Sequence, residues 1–326
     1  MKKIIATIFL SILLTSFSFA QLSGDYYIPQ GANPQGYATL EAAITDINTN
    51  GISGTVRLLI DDNLSETGAN LLLTRNDLSS TNNLIIKPAA TKTPTITISG
   101  CTSTTGAANQ YSGFTLSGVS YVTIDGSNTE GGTTKDLTFR MNDATNGRIV
   151  IQLYGNCDNV TIKNLIISYQ SPMSTVNTTR GIYLNGQASG VCDDVTIDNC
   201  TIGDATNTPY YATGITGYGT GIIYCTNIVV KNSNLYGRIR PVYFYDVGTS
   251  STTSEISNNN IYTYGGTNGT ATYWIFMNYW AGTVNIFNNT MPTMTTNNTG
   301  TSGIYGVSGL SAQSGATANI YNNFLG

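Results

Sequence analysis

The chain has 326 residues, of which 10 % are charged, with no histidine, five cysteines and 21 tyrosines. A formal charge of −4 without a basic cluster excludes nucleic acid as a partner, because nothing would displace counterions from a phosphate backbone. With neither histidine nor a CxxC pair, a zinc centre is excluded too.

Met1 to Ala20 reads as a secretory signal peptide. Lys2 and Lys3 precede an apolar run from Ile4 to about Leu14, and Ser18-Phe19-Ala20 place small residues at the cleavage positions. Cleavage near Ala20 would deliver a secreted or cell-surface chain, and Gln21 in place of Cys argues against a lipoprotein. Losing the two lysines leaves 12 basic against 18 acidic residues, a formal charge of −6. No later apolar run reaches the ~20 residues that span a bilayer, so no membrane span is expected in the mature chain.

Tyr37 to Asn48 has helical periodicity, with Leu40, Ala43, Ile44 and Ile47 on one face and Gly51 as a stop. Gly54 to Asp61 and Asn83 to Pro88 alternate like strands.

From Tyr121 onward one phrase returns: an alternating apolar strand, a turn residue that is usually Asn, and a second short strand. It reads YVTIDGSN, NVTIKNLII, DVTIDNCTI, NIVVKNSNL, SEISNNNI, TVNIFNNTM and ANIYNNFL. Its last apolar residue before the turn forms the column Ile124, Ile162, Ile197, Val230, Ile256, Ile286 and Ile320, in steps of 38, 35, 33, 26, 30 and 34 residues. Two places on stand Gly126, Asn164, Asn199, Asn232, Asn258, Asn288 and Asn322. Asn suits a left-handed turn, and stacked Asn side chains can form an amide ladder from coil to coil. A second apolar strand precedes most phrases, at 149–155, 181–186, 221–224, 241–247, 273–280 and 303–309. A period of 20 to 50 residues marks a repeat architecture in which each unit buries its face on the next.

This pattern of about three short strands per unit resembles the right-handed parallel β-helix of the pectin-lyase-like superfamily. The expected fold is all-β, a right-handed parallel β-helix (β-solenoid) with a short N-terminal capping helix at about residues 37–49. Residues 21–326 would form a single β-helix domain. A leucine-rich repeat would need a tighter period, a propeller blade a longer one, and a left-handed hexapeptide helix a strict short one. Gly31 to Pro88 also resembles the opening of β-helix proteins exported by Bacteroidetes-like bacteria. A helix there would cover the open edge and open bore of the first coil. At the other end the last phrase stops one residue before Gly326 without a plug, and the expectation is that the C-terminal end is truncated.

Cys157, Cys192 and Cys225 each stand five residues before the apolar column and should stack. Their parallel Cβ vectors suit a column of buried thiols better than a disulfide, although an oxidising destination keeps the disulfide in view.

Candidate sites follow from the alternation. If Ile182 and Leu184, Val242 and Phe244, and Ile275 and Met277 point inward, then Tyr183, Tyr243, Tyr245 and Phe276 point outward, with Tyr305 in the next coil. Such a column could form a platform for stacking sugar rings, or its rings could simply pack on one another. The β-helix resemblance implies polysaccharide lyases, which use a basic residue with calcium held by Asp, and hydrolases, which use clustered carboxylates. The nearest pieces are Asp158, Asp193, Asp194 and Asp198 with Arg180, Arg238 and Arg240. They form no complete constellation, the Gly-His-Gly segment of pectinase-like hydrolases is absent, and no cofactor is called for, calcium being left open by the resemblance to lyases without support from the residues. The leading reading is an exported module that binds glycans or mediates adhesion through the aromatic face. The alternatives are a polysaccharide lyase or glycosidase, and a ligand-free stalk.

Overall fold

A computed structural model describes residues 21–101, 111–143, 149–170, 179–206, 208–209, 211–217, 224–264, 271–292 and 304–326. Every strand pairing between named strands is parallel, and the pairings build three sheets: sheet A of ten strands, sheet B of nine and sheet C of eight. The chain visits A, B and C in turn and then steps up one coil. The fold is a right-handed parallel β-helix.

The register carries the argument. Ile124 pairs Ile162, Ile162 pairs Ile197, and the column runs on through Val230, Ile256 and Ile286 to Ile320. From Ile124 to Ile286 every member is fully buried, so the apolar column of the sequence is one wall of the bore. Sheet B adds Leu137, Leu165, Ile202, Leu235 and Ile261, and sheet C adds Phe114, Ile151, Ile182, Val242 and Ile275. Burying each of these side chains contributes roughly 1.5–3 kcal/mol, and stacking repeats them coil after coil.

The Asn turns behave as their chemistry dictates. Asn164, Asn199, Asn232, Asn258, Asn288 and Asn322 all lie in the left-handed region, with φ between 51° and 57°. Gly126 heads the same column for another reason: a Cβ there would sit 1.8 Å from the Asn164 carbonyl oxygen. The amide ladder, however, stands mainly one residue further on. Asn259 donates through Nδ2 to Asn289 Oδ1 at 3.0 Å, and Asn289 to Asn323 Oδ1 at 2.9 Å, with Asn259 and Asn289 buried. In the expected column only Asn199 bonds an Asn, donating to Asn164 Oδ1 at 2.7 Å, whereas Asn232 turns to Asp198. The left-handed residue points its side chain outward, and the residue after it points into the bore, where a buried amide must find partners.

Helix α1 (Leu40–Asn50) begins at Thr39, whose hydroxyl accepts from the Ala42 N–H, and ends at Gly51 with φ 74°. Leu40, Ala43, Ile44 and Ile47 are buried, the face expected from the sequence. The carboxylate of Glu66 accepts the N–H groups of Leu40 and Glu41, two free donors of the helix start. Burial pushes the Glu66 carboxyl above its usual range, and these two bonds pull it partly back.

The solenoid starts earlier than the phrase. Leu22–Ile28 pairs with Ile52–Ile60, which pairs with Leu84–Pro88, so Leu58, Ile86 and Ile124 continue the bore wall downward. One expected strand moves. The sheet C strand between Ile182 and Val242 is Tyr211–Thr216; Tyr224 of the expected 221–224 stretch lies outside any strand and the rest of it outside the described residues. Ala212, Thr213 and Gly214 are too small to announce a strand, and Thr213 takes the core position opposite Ile182. The signal-peptide stretch also lies outside the described residues.

Candidate functional site

The outward face of sheet C holds most of the aromatic candidates. Gln152, Tyr183, Gly214, Tyr243, Phe276 and Ser308 share one outward row, in register across six coils. A second row, nearer the start of the strands, contains Arg180, Tyr211, Arg240, Tyr273 and Tyr305. Tyr154, Asn185, Thr216, Tyr245 and Asn278 form a third. No carboxylate stands among the described residues of these rows.

The two basic groups interleave with the rings. Arg180 Cζ lies 4.0 Å from the Tyr183 centroid and 5.3 Å from that of Tyr211. Arg240 Cζ lies 4.2 Å from the Phe276 centroid, 5.4 Å from Tyr273 and 5.5 Å from Tyr243. A desolvated guanidinium over a ring is stabilised by about 2 kcal/mol. Gly214 leaves the room this needs: a Cβ there would meet the Arg180 and Tyr183 side chains at 3.3–3.4 Å.

Most rings are spent on one another. Tyr211 stacks on Tyr243 at 5.0 Å, Tyr243 on Phe276 at 5.6 Å, and Tyr273 on Tyr305 at 5.0 Å, each within 20° of parallel. Stacking at the coil spacing turns ring faces along the solenoid axis and edges outward. Tyr183 and Phe276 retain 8 % and 5 % of their surface, so they support their neighbours. Solvent reaches Tyr243, Tyr245 and Tyr273 in part, and Tyr305 widely. Two T-shaped pairs, Tyr245 with Tyr279 and Tyr273 with Phe276, break the regular stack. Burial raises the Tyr243 hydroxyl well above the ordinary tyrosine value, so the hydroxyl stays protonated.

The carboxylate candidates sit elsewhere, at the turn from sheet C to sheet A. Asp158 and Asp193 pair directly across two coils, as their spacing from the stacked cysteines indicated. Asp158 Oδ1 accepts the Asp193 N–H at 3.1 Å, and Asp193 Oδ1 accepts from the Thr226 hydroxyl and from Asn227 Nδ2. Burial raises the Asp158 carboxyl, with the Asp193 and Asp194 charges adding to it and hydrogen bonds opposing. Asp194 is exposed on a left-handed turn at φ 51°. Arg180 and Arg240 stand at the opposite edge of sheet C, a full strand of about 17 Å away. Arg238 lies in the turn before Arg240, its carbonyl accepting from the Thr263 hydroxyl. The basic and acidic candidates are therefore not brought together. Among the described residues no three His, Cys, Asp or Glu side chains converge as metal ligands.

Register also reveals a column that reading by composition passed over. Lys87, Asp125, Lys163, Asp198 and Lys231 each follow a member of the bore wall and stack on the outer face of sheet A. Lys163 bonds Asp125 at 3.2 Å and Lys231 reaches Asp198 at 3.8 Å. Beside it a cleft of about 440 Å³ is lined by Gly131–Thr133, Lys163, Asp198 and the Asn164, Asn199 and Asn232 amides. Asn164 and Asn199 donate to the Gly132 and Thr133 carbonyls, so the cleft's amides hold its own wall.

All five cysteines are free and buried. Cys157, Cys192 and Cys225 form the expected stack, in register through the Asp158–Asp193 and Asp193–Thr226 pairs, with the Cys192 thiol donating to the Gly155 carbonyl at 3.6 Å. Burial pushes the Cys101 and Cys200 thiols up to about 12, and that of Cys192 well above its usual value.

No protein-family model matches this chain, and no curated protein matches it. Solved structures do. A pectin methylesterase from Aspergillus niger is 13 % identical, with 91 % of this chain and 87 % of that one covered at a TM-score of 0.45. A GH136 lacto-N-biosidase from Eubacterium ramulus is 10 % identical, with 89 % and 67 % covered at 0.37. PfbA, a surface adhesin of Streptococcus pneumoniae, is 13 % identical, with 88 % of each chain covered at 0.34. At such identities the likeness concerns the fold alone.

Proposed function

We propose that residues 21–326 form one exported β-helix domain that binds glycans through the outward face of sheet C. The observation that carries this reading is the carboxylate-free array of tyrosines and interleaved arginines spread over four coils, from Arg180 to Phe276. Sugars offer a rim of hydroxyls, which tyrosine hydroxyls and guanidinium donors complement. The contact residues are Tyr243, Tyr245, Tyr273 and Tyr305, with Tyr183, Tyr211 and Phe276 as the layer that fixes them. The signal sequence at Met1 to Ala20 supports an extracellular or cell-surface site of action.

The test is a glycan-array screen of the mature chain beside the Tyr245→Ala/Tyr273→Ala double variant. Binding that falls at least tenfold in the variant, with circular dichroism unchanged, supports the reading. Absence of binding to every glycan sinks it in favour of a ligand-free stalk. Release of unsaturated or new reducing ends from polysaccharides would replace it with a catalytic one.

A further inference from the structure

Where sheet A turns into sheet B, one coil differs from those above it. A single residue, Asn164, makes this turn between Asp158–Lys163 and Leu165–Tyr169, and two residues make it at Asn199 and at Asn232. In the coil below, residues 126–136 separate Val122–Asp125 from Leu137–Met141. The tip of this strap rises along the Asn column, where the Gly132 and Thr133 carbonyls accept from Asn164 and Asn199.

The strap is tied to itself as well. The Ser127 N–H donates to Asp125 Oδ1 and the Asn128 N–H to Asp136 Oδ2, each at 3.0 Å, and the Ser127 and Thr134 hydroxyls bond at 2.9 Å. Its tip needs glycine: Gly131 has φ 67°, and a Cβ on Gly132 would lie 2.5 Å from Ser127 Oγ. A loop held in this way on a rigid scaffold is the usual setting of a binding site.

The cleft between strap and sheet, about 440 Å³, has the volume of a small-molecule pocket. No aromatic, Leu, Ile or Val side chain lines it, so an apolar ligand finds no apolar residue to bury against. Asn164 and Asn199 spend their N–H groups on the wall. The groups left for a ligand are Asn199 Oδ1, the Asn232 amide, the Asp198 carboxylate and the Lys163 ammonium. Charge is balanced there, since Lys163 pairs with Asp125 and Asp198 faces Lys231. An anion would meet Asp198 and a cation would meet Lys163. A neutral hydroxyl, at once one donor and two acceptors, suits the mixture.

We propose that this cleft binds one neutral sugar unit through its hydroxyls, without ring stacking. Asp198 and Asn199 Oδ1 accept from those hydroxyls, and Lys163 and Asn232 Nδ2 donate to them. The site shares no residue with the outward face of sheet C, so it does not rest on glycan binding there.

The test is nuclear magnetic resonance of the Asn side-chain amides in the mature chain, titrated separately with glucose, galactose, mannose and N-acetylglucosamine. The expected result is a saturable shift of the Asn199 and Asn232 signals, in the millimolar range, with at least one of the four. Asp198→Ala should weaken it at least tenfold, and the Tyr245→Ala/Tyr273→Ala variant should leave it unchanged. If Asp198→Ala misfolds, Lys163→Gln takes its place with the same expectation. No shift with any of the four overturns the proposal, as does a shift lost in the tyrosine variant or indifferent to the cleft variants. Glucuronate or glucosamine binding as tightly as glucose overturns the neutral assignment.

Discussion

Ile197 and Ile320 have the same place in the same phrase, and their environments are opposite. Ile197 lies between Ile162 and Val230 and is fully buried; among the described residues Ile320 pairs with Ile286 alone and is 52 % exposed. The phrase does not bury its own apolar residue. Neighbouring coils do, so stability here belongs to interfaces between repeats more than to repeats.

The largest expected contrast comes from Ile197→Asp against Ile320→Asp. The first puts an unpaired charge in the bore and prevents cooperative folding, while the second costs less than about 1 kcal/mol in denaturant titration. Equal losses at the two sites would mean that the last coil is covered in solution. Asn289→Ala removes a buried amide bonded on both sides and is expected to cost about 1–3 kcal/mol. Asn323→Ala, at the ladder's end, should cost less by urea unfolding.

A smaller effect probes the helix-capped end through pH. Because the folded state raises the Glu66 carboxyl, folding takes up a proton there, and stability falls as pH rises from the ordinary carboxylate value of about 4.3 through the raised one. Glu66→Gln should remove that part of the pH dependence, measured as Tm against pH. The smallest perturbation is chemical. With every thiol buried, a disulfide reagent should label none of the five in the folded chain and all of them in denaturant. Rapid labelling of Cys225 alone would show a loose upper solenoid.

The bore wall from Ile124 to Ile320 could be read from sequence because one residue type recurred at one place. The thiol stack followed from it, since Cys157, Cys192 and Cys225 inherit the same register. The first coils were harder: their sheet A strands, Ile52–Ile60 and Leu84–Pro88, lack the Asn turn, and Leu22–Ile28 pairs with a strand beyond the helix. Tyr211–Thr216 was hidden by Ala212, Thr213 and Gly214, whose small size a neighbouring coil compensates. At the aromatic face, alternation gave the outward direction of Tyr183, Tyr243 and Phe276. It could not tell a ring that meets solvent from one roofed by its neighbours, because that depends on Arg180, Arg240 and the next coil up.

The charged column on sheet A has one more consequence. Every coil presents nearly the same wall, so a growing stack could skip a coil and still look well packed. The signs along Lys87, Asp125, Lys163, Asp198 and Lys231 alternate, and leaving out any inner member sets two like charges side by side. The alternation thus adds a small charge penalty to a miscounted stack, on the order of the 0–1 kcal/mol of a surface ion pair, that the apolar interior alone would not impose.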